Sequence, residues 1–300
     1  MALPLNQLPL VKRGWIRAVL FFVVYVLVFV LIALLVAAYG FSLGMKSGNR
    51  LPSDATANNM VLLSLFAGSI MVIVIAVLFR RYIDRQSWFS MGFAWKGFQN
   101  DAGVGFLLGP AILGVGSLIL FLNHNLQWTD AAFSSTDFFM ALVLMLLIAI
   151  SEEIVFRGYL LNNLMESMNK WVALVISALL FTIAHGTNPN INALSVINLF
   201  AGGILLGVNY IYTKNLWFSI CFHFSWNFLQ GPILGYDVSG IALQSVLQQE
   251  VSGNPVITGG LFGFEGSILC SILSAITVGL LYLVYETRLG KPVTTTAAAS

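Results

Sequence analysis

Residues 148–160 read I-A-I-S-E-E-I-V-F-R-G-Y-L and place two carboxylates and an arginine inside an otherwise apolar helix. A charge at the centre of a bilayer costs about 2.5–3.5 kcal/mol per residue even on the lenient insertion scale, so three together must pair or line a wet cavity. At about 100° per residue, Arg157 lies nearly above Glu153 and roughly 140° around the helix from Glu152. Glu153 and Arg157 therefore neutralise each other. Glu152 is left without a partner on its own helix, which makes it the candidate reactive group and the Glu153–Arg157 pair its support.

The rest of the chain fits a membrane setting. Of 300 residues, 58% are hydrophobic and 9% charged, far below the quarter charged that is typical of soluble domains. Apolar runs recur at about 15–39, 60–79, 102–123, 138–166, 169–187, 191–213, 215–236 and 265–285, which predicts an all-α integral membrane protein of about eight transmembrane helices around a polar cavity. The first run is too long for the apolar part of a secretory signal and reads as a retained helix that also directs insertion. Residues 1–300 form one transmembrane domain, with motif-bearing helices over 138–236 and a short tail at 287–300.

Charge places the ends. Lys12, Arg13, Arg80, Arg81, Arg85, Lys96, Lys170, Lys214, Arg288 and Lys291 put both termini on the cytoplasmic side by the positive-inside rule. Lys46 and Arg50, in the loop 41–59, dissent. The net charge of +2 is spread between apolar runs and gives no nucleic-acid surface. Cys221 and Cys270 match no metal or redox spacing and read as small core residues. Two longer loops, 123–137 and 234–264, fall on the opposite side. The second is rich in glycine and reads as a connecting loop, with a re-entrant lid as the alternative.

Three further polar groups lie inside later runs. Phe181 and His185 are an i, i+4 pair, as are His223 and Asn227, so each pair shares a helix face. His124 sits at a helix end and reads as interfacial. At 1.5 Å per residue from the turn near Lys170, Glu152 lies about 21 Å back along the fourth helix and His185 about 22 Å along the fifth. A tilt of the seventh helix brings His223 and Asn227 into the same layer, provided the fourth helix continues past Arg157 to about Glu166.

A carboxylate and an imidazole can hold a water and remove its proton, while a second imidazole and an amide can donate to the oxyanion formed when that water attacks a carbonyl. This is the equipment for peptide hydrolysis with no required cofactor. The alternative makes Glu152, His185 and His223 ligands of a hydrolytic zinc with an open water position. No H-E-x-x-H is present to favour it.

E-E-x-x-x-R at 152–157, F-x-x-x-H at 181–185 and H-x-x-x-N at 223–227, in that order on successive runs, resemble the three motifs of the CAAX prenyl protease and bacteriocin-processing (Abi, CPBP) family of intramembrane endopeptidases. The likeness covers about 138–236, and the G-G-L-F-G-F-E-G segment at 259–266 is similar to the bacterial form. The resemblance implies Glu152 and His185 as the water-activating pair, His223 and Asn227 as the oxyanion-stabilising pair, and Glu153, Arg157 and Phe181 as supporting positions. It implies a bacterial plasma membrane as the setting, with membrane lipids and a prenylated CAAX-type or membrane-tethered propeptide substrate as partners. Other classes compete. A buried polar set can glue helices together by hydrogen bonds, a scaffold or immunity protein can keep the fold without the chemistry, and a proton-coupled transporter would need an internal repeat that the chain lacks.

Overall fold

A computed structural model describes residues 8–46 and 54–289. Eight helices form where the apolar runs predict them: α1 Gly14–Lys46, α2 Asp54–Leu78, α3 Gln99–Leu122, α4 Ser135–Glu153, α5 Lys170–Ala184, α6 Ala193–Val208, α7 Trp217–Phe228 and α8 Ile268–Leu289. The chain is an integral membrane protein, but the expectation of eight crossings needs correction. Among the described residues six helices are long and apolar enough to span: Gly14–Leu43, Asn59–Ile83, Gln99–Leu122, Ser135–Met165, Ala193–Thr213 and Ile268–Leu289. The fifth run includes a polar turn that ends its helix early, and the seventh changes after Phe228 to wider turns over Leu229–Ile233. α5 has 15 residues and α7 has 12. At 1.5 Å per residue α5 is about 22 Å long, against about 30 Å of hydrocarbon. Residues 47–53 of the dissenting loop, with Arg50, and residues 290–300 of the tail lie outside the described residues.

The starts of α1, α3, α5 and α7 share one end of the bundle with the ends of α2, α4, α6 and α8. Contacts between segments fix this: Trp15 N donates to Ser167 Oγ, the Tyr285 hydroxyl to Asp101 and Leu216 N to Gly92 O. Lys170, Lys214 and Arg288 lie at that end. There Arg17, Arg80 and Asp84 are buried together. Asp84 pairs with Arg17 at 3.1 Å and Arg80 at 2.8 Å, and accepts from the Tyr159 hydroxyl and Asn163 Nδ2. Arg17 also pairs with Glu166.

At the opposite end the two long loops meet. β1 (Leu126–Ala131) pairs antiparallel with β2 (Leu247–Val251), with an irregularity between Trp128 and Asp130. The glycine-rich loop is thereby tied down across the bundle. Small residues set the closest helix approach: a Cβ on Gly105 would lie 2.3 Å from Phe218 O, and one on Gly109 would lie 2.7 Å from Ser225 Oγ, so α3 and α7 pack almost backbone to backbone. The core has two parts. One gathers Phe21, Phe156, Tyr159 and Phe181 between α1, α4 and α5. The other gathers Leu113, Phe218, Phe222 and Phe264 between α3, α7 and the loop before α8. The polar site lies where the two meet.

Candidate active site

The fourth span supplies the carboxylates. α4 does not stop at Arg157. After Glu153 it continues in wider i→i+5 turns over Ile154–Leu161, and then as Asn162–Met165. Such π-type turns are rare and occur mostly at functional sites. They free carbonyls that need other donors, and Ser177 Oγ on α5 donates to Phe156 O at 2.8 Å. The continuation carries the helix to the level that the depth argument required.

Glu153 is fully buried. Its Oε1 accepts from Arg157 Nη1 at 2.8 Å and from His223 Nδ1 at 2.8 Å. The i, i+4 pair is present, but the sequence reading missed that the same oxygen also anchors a histidine seventy residues away. Arg157 Nη2 donates to Gly203 O at 3.0 Å on α6, and its guanidinium lies 4.9 Å from the centre of the Phe181 ring. A cation over an aromatic face keeps its charge solvated where water is absent.

α5 ends at the site. His185 caps its C-terminus, with the Nδ1 donating to Phe181 O at 2.8 Å and the ring 4.4 Å from that of Phe181. A carbonyl only accepts, as does an ionised carboxylate, so the Nδ1 proton of both rings is fixed by its partner. Each Nε2 then faces Glu152 Oε2, at 3.7 Å for His185 and 3.8 Å for His223. Glu152 Oε2 has no hydrogen-bond partner. These separations are too long for a direct hydrogen bond and suit a small group held between them.

Glu152, Phe181, His185, His223 and Asn227 all line one cavity of about 180 Å³. Asn227 is buried in its wall, one helical turn beyond His223. Tyr25, Leu65 and Ile148 make an apolar side of the cavity, and Asn198, Ser239 and Glu265 a polar side. The polar side was not legible in the motif pattern. Its residues come from α6, the glycine-rich loop and the approach to α8, and they form no i, i+4 pattern with the rest. Val238, Ser239, Ile241 and Leu243 make the glycine-rich loop part of the cavity wall, which differs from its reading as a plain connection. His124 is exposed with φ 59° at the end of α3, away from these groups. Cys221 and Cys270 are free thiols, half-buried and buried.

The zinc alternative can be tested on the donor set. Carboxylate and imidazole are suitable ligands. Yet among the described residues no group of three or more His, Cys, Asp or Glu side chains is arranged to hold a metal ion.

Residues 134–229 match the family model described as Rce1-like, type II CAAX prenyl endopeptidase Rce1-like. No curated protein and no solved structure matches the chain. The matched segment runs from the start of α4 to the end of α7 and contains every residue of the three motifs. The match is to the same CAAX protease family that the three motifs resemble.

Proposed function

We propose that this chain is an intramembrane endopeptidase that hydrolyses peptide bonds of prenylated CAAX-type or membrane-tethered propeptide substrates, using water activated by Glu152 and His185. One observation carries the reading. A buried carboxylate oxygen without a hydrogen bond faces two imidazole Nε2 atoms at 3.7 and 3.8 Å inside a cavity. With Nδ1 of His185 donating to Phe181 O, its Nε2 is free to accept, so a water between His185 and Glu152 is held by two acceptors.

The reaction follows from that placement. The water oxygen attacks the scissile carbonyl carbon as Glu152 takes its proton. Negative charge moves to the carbonyl oxygen, where the Asn227 amide and the Nε2–H of a doubly protonated His223, balanced by Glu153, donate to it. Glu152 then delivers the proton to the amide nitrogen as the C–N bond breaks, giving a carboxylic acid and an amine, and the acid then loses its proton to the amine or to water. Arg157 and Phe181 hold the supporting groups in register. Both termini are assigned to the cytoplasmic side from the basic residues at that end of the bundle.

The test is cleavage of a panel of prenylated CAAX peptides by purified protein in detergent, wild type against Glu152→Gln, with the released tripeptide read by mass spectrometry. Release by the wild type alone is expected. Equal release by both would overturn the role of Glu152, and no release by either folded protein would favour a scaffold on the same fold. Elemental analysis of protein prepared without chelators addresses zinc: stoichiometric metal lost in Glu152→Gln and His185→Ala would replace direct water activation.

A further inference from the structure

The polar side of the cavity is built as one connected chain of hydrogen bonds, and none of its members belongs to the three motifs. It begins on α6, where buried Asn198 donates from Nδ2 to Glu265 O at 2.7 Å and Ser267 O at 2.8 Å, while its Oδ1 accepts from Ser271 Oγ at 2.6 Å on α8. That fixes the Glu265 backbone to two helices. The Glu265 carboxylate then reaches in two directions. Oε1 accepts from Trp226 Nε1 at 2.9 Å, on the residue before Asn227, and Oε2 accepts from both the backbone N and the Oγ of Ser239, at 3.0 and 2.7 Å.

Ser239 sits at the tip of a tight turn closed between Val238 and Ile241. Its φ is 49° and that of Gly240 is 82°, the positive pair that a type I′ turn requires. The tip is clamped from the other side too. Asn188 Nδ2 donates to Ser239 O at 3.0 Å, and Asn188 N donates to His185 O at 3.0 Å. Backbone contact explains the surrounding glycines: a Cβ on Gly263 would lie 1.9 Å from Asp237 O, and one on Gly240 would lie 2.1 Å from Pro189 O.

We infer that Glu265 is a positioning residue: through Trp226 it sets α7 and Asn227, and through Ser239 and Asn188 it sets the turn that carries His185. The inference rests on the proposed hydrolytic reading for its consequence, but not for its geometry. All three donors to Glu265 need an acceptor, so the isosteric Glu265→Gln cannot satisfy both Trp226 and Ser239 whichever way its amide is turned. A displacement of about 1 Å at a reacting group is enough to cost on the order of a hundredfold in rate.

Two readouts on the full-length protein in nanodiscs test this. The first is hydrogen exchange of the peptide covering residues 183–190, which Glu265 does not itself touch. Glu265→Gln is expected to speed exchange there by about tenfold or more, as is Asn188→Ala. Unchanged exchange in both would overturn the inference whatever the activity. The second is turnover of the prenylated CAAX peptides. Glu265→Gln is expected to lower kcat by about tenfold or more, with KM within about twofold of wild type. The double variant with Asn188→Ala is expected to lose no more than the worse single variant, because the two act through one chain. Normal kcat in the folded variant, or losses that multiply, would also overturn it. If Glu265→Gln does not fold, Ser239→Gly keeps the positive φ and the backbone donor, removes the CH2OH side chain with its bond to Glu265, and carries the same expectations. A wild type inactive on every peptide would fail the hydrolytic reading, and the exchange result would still decide the clamp.

Discussion

Asp84 and Glu152 are both carboxylates held within the helical bundle, one just past the second span and one on the fourth, and they are treated in opposite ways. Asp84 is 1% exposed and receives two donors on each oxygen: Arg17 and Tyr159 on Oδ1, Arg80 and Asn163 on Oδ2. Glu152 has a side chain 23% exposed to the cavity, and its buried Oε2 accepts no hydrogen bond. The first has no acceptor capacity left for a substrate or a water. The second has it all. Burial of charge is common to both, so burial alone does not mark a reactive group, whereas an unfilled acceptor facing a cavity does.

The comparison is sharpest in the response to removing one charge. Glu152→Gln is expected to reduce kcat on a cleavable peptide by about 10²–10⁴-fold, with the thermal midpoint of unfolding in detergent unchanged or raised, since reactive sites are commonly held at some cost to stability. A fall in midpoint matching that of an Asp84 variant would erase the distinction. Asp84→Asn leaves Arg17 and Arg80 buried without their shared counter-charge, and is expected to destabilise the fold by about 3–5 kcal/mol. Activity per folded molecule should survive, and its loss in a normally stable protein would break the comparison from the other side. Asn227→Ala, which deletes the proposed oxyanion donor and little packing, is expected to lower kcat by about 10²–10³-fold with KM little altered. The smallest effect belongs to Tyr159→Phe. It removes one of four donors to Asp84, and about 1 kcal/mol of stability should go with it, measured by denaturant unfolding.

Much of this arrangement was legible because membrane spans write their rules locally. Eight apolar runs gave eight helices, and polar residues four apart on a helix gave the Glu153–Arg157, Phe181–His185 and His223–Asn227 faces without any knowledge of tertiary structure. The depth argument needed nothing beyond helix rise, and Glu152 and His185 do lie side by side. The rest depended on partners distant in sequence. Arg17 sits inside the first apolar run and Asp84 just past the second, and nothing in either pattern says that they meet. The double use of Glu153 Oε1 is equally non-local. The change to wider turns after Glu153 leaves no composition signal, since Ile154–Leu161, IVFRGYLL, carries no proline and reads as a continuation of the helix. Glu265 was hidden by a loop whose glycines read as slack although they mark backbone contact.

The shortness of α5 reaches beyond the protein. Val172, Val175, Leu179 and Ile183 present an exposed apolar stripe that stops where the helix does, at His185. Lipid against that stripe meets a hydrophobic height about 8 Å less than an ordinary bilayer's, so the membrane beside the site must thin or admit the headgroup layer. The proposed hydrolysis needs water at a depth where hydrocarbon excludes it, and such a mismatch would bring the aqueous boundary down to the histidine. The bilayer is then part of the reagent supply, and acyl-chain length becomes a variable of the reaction.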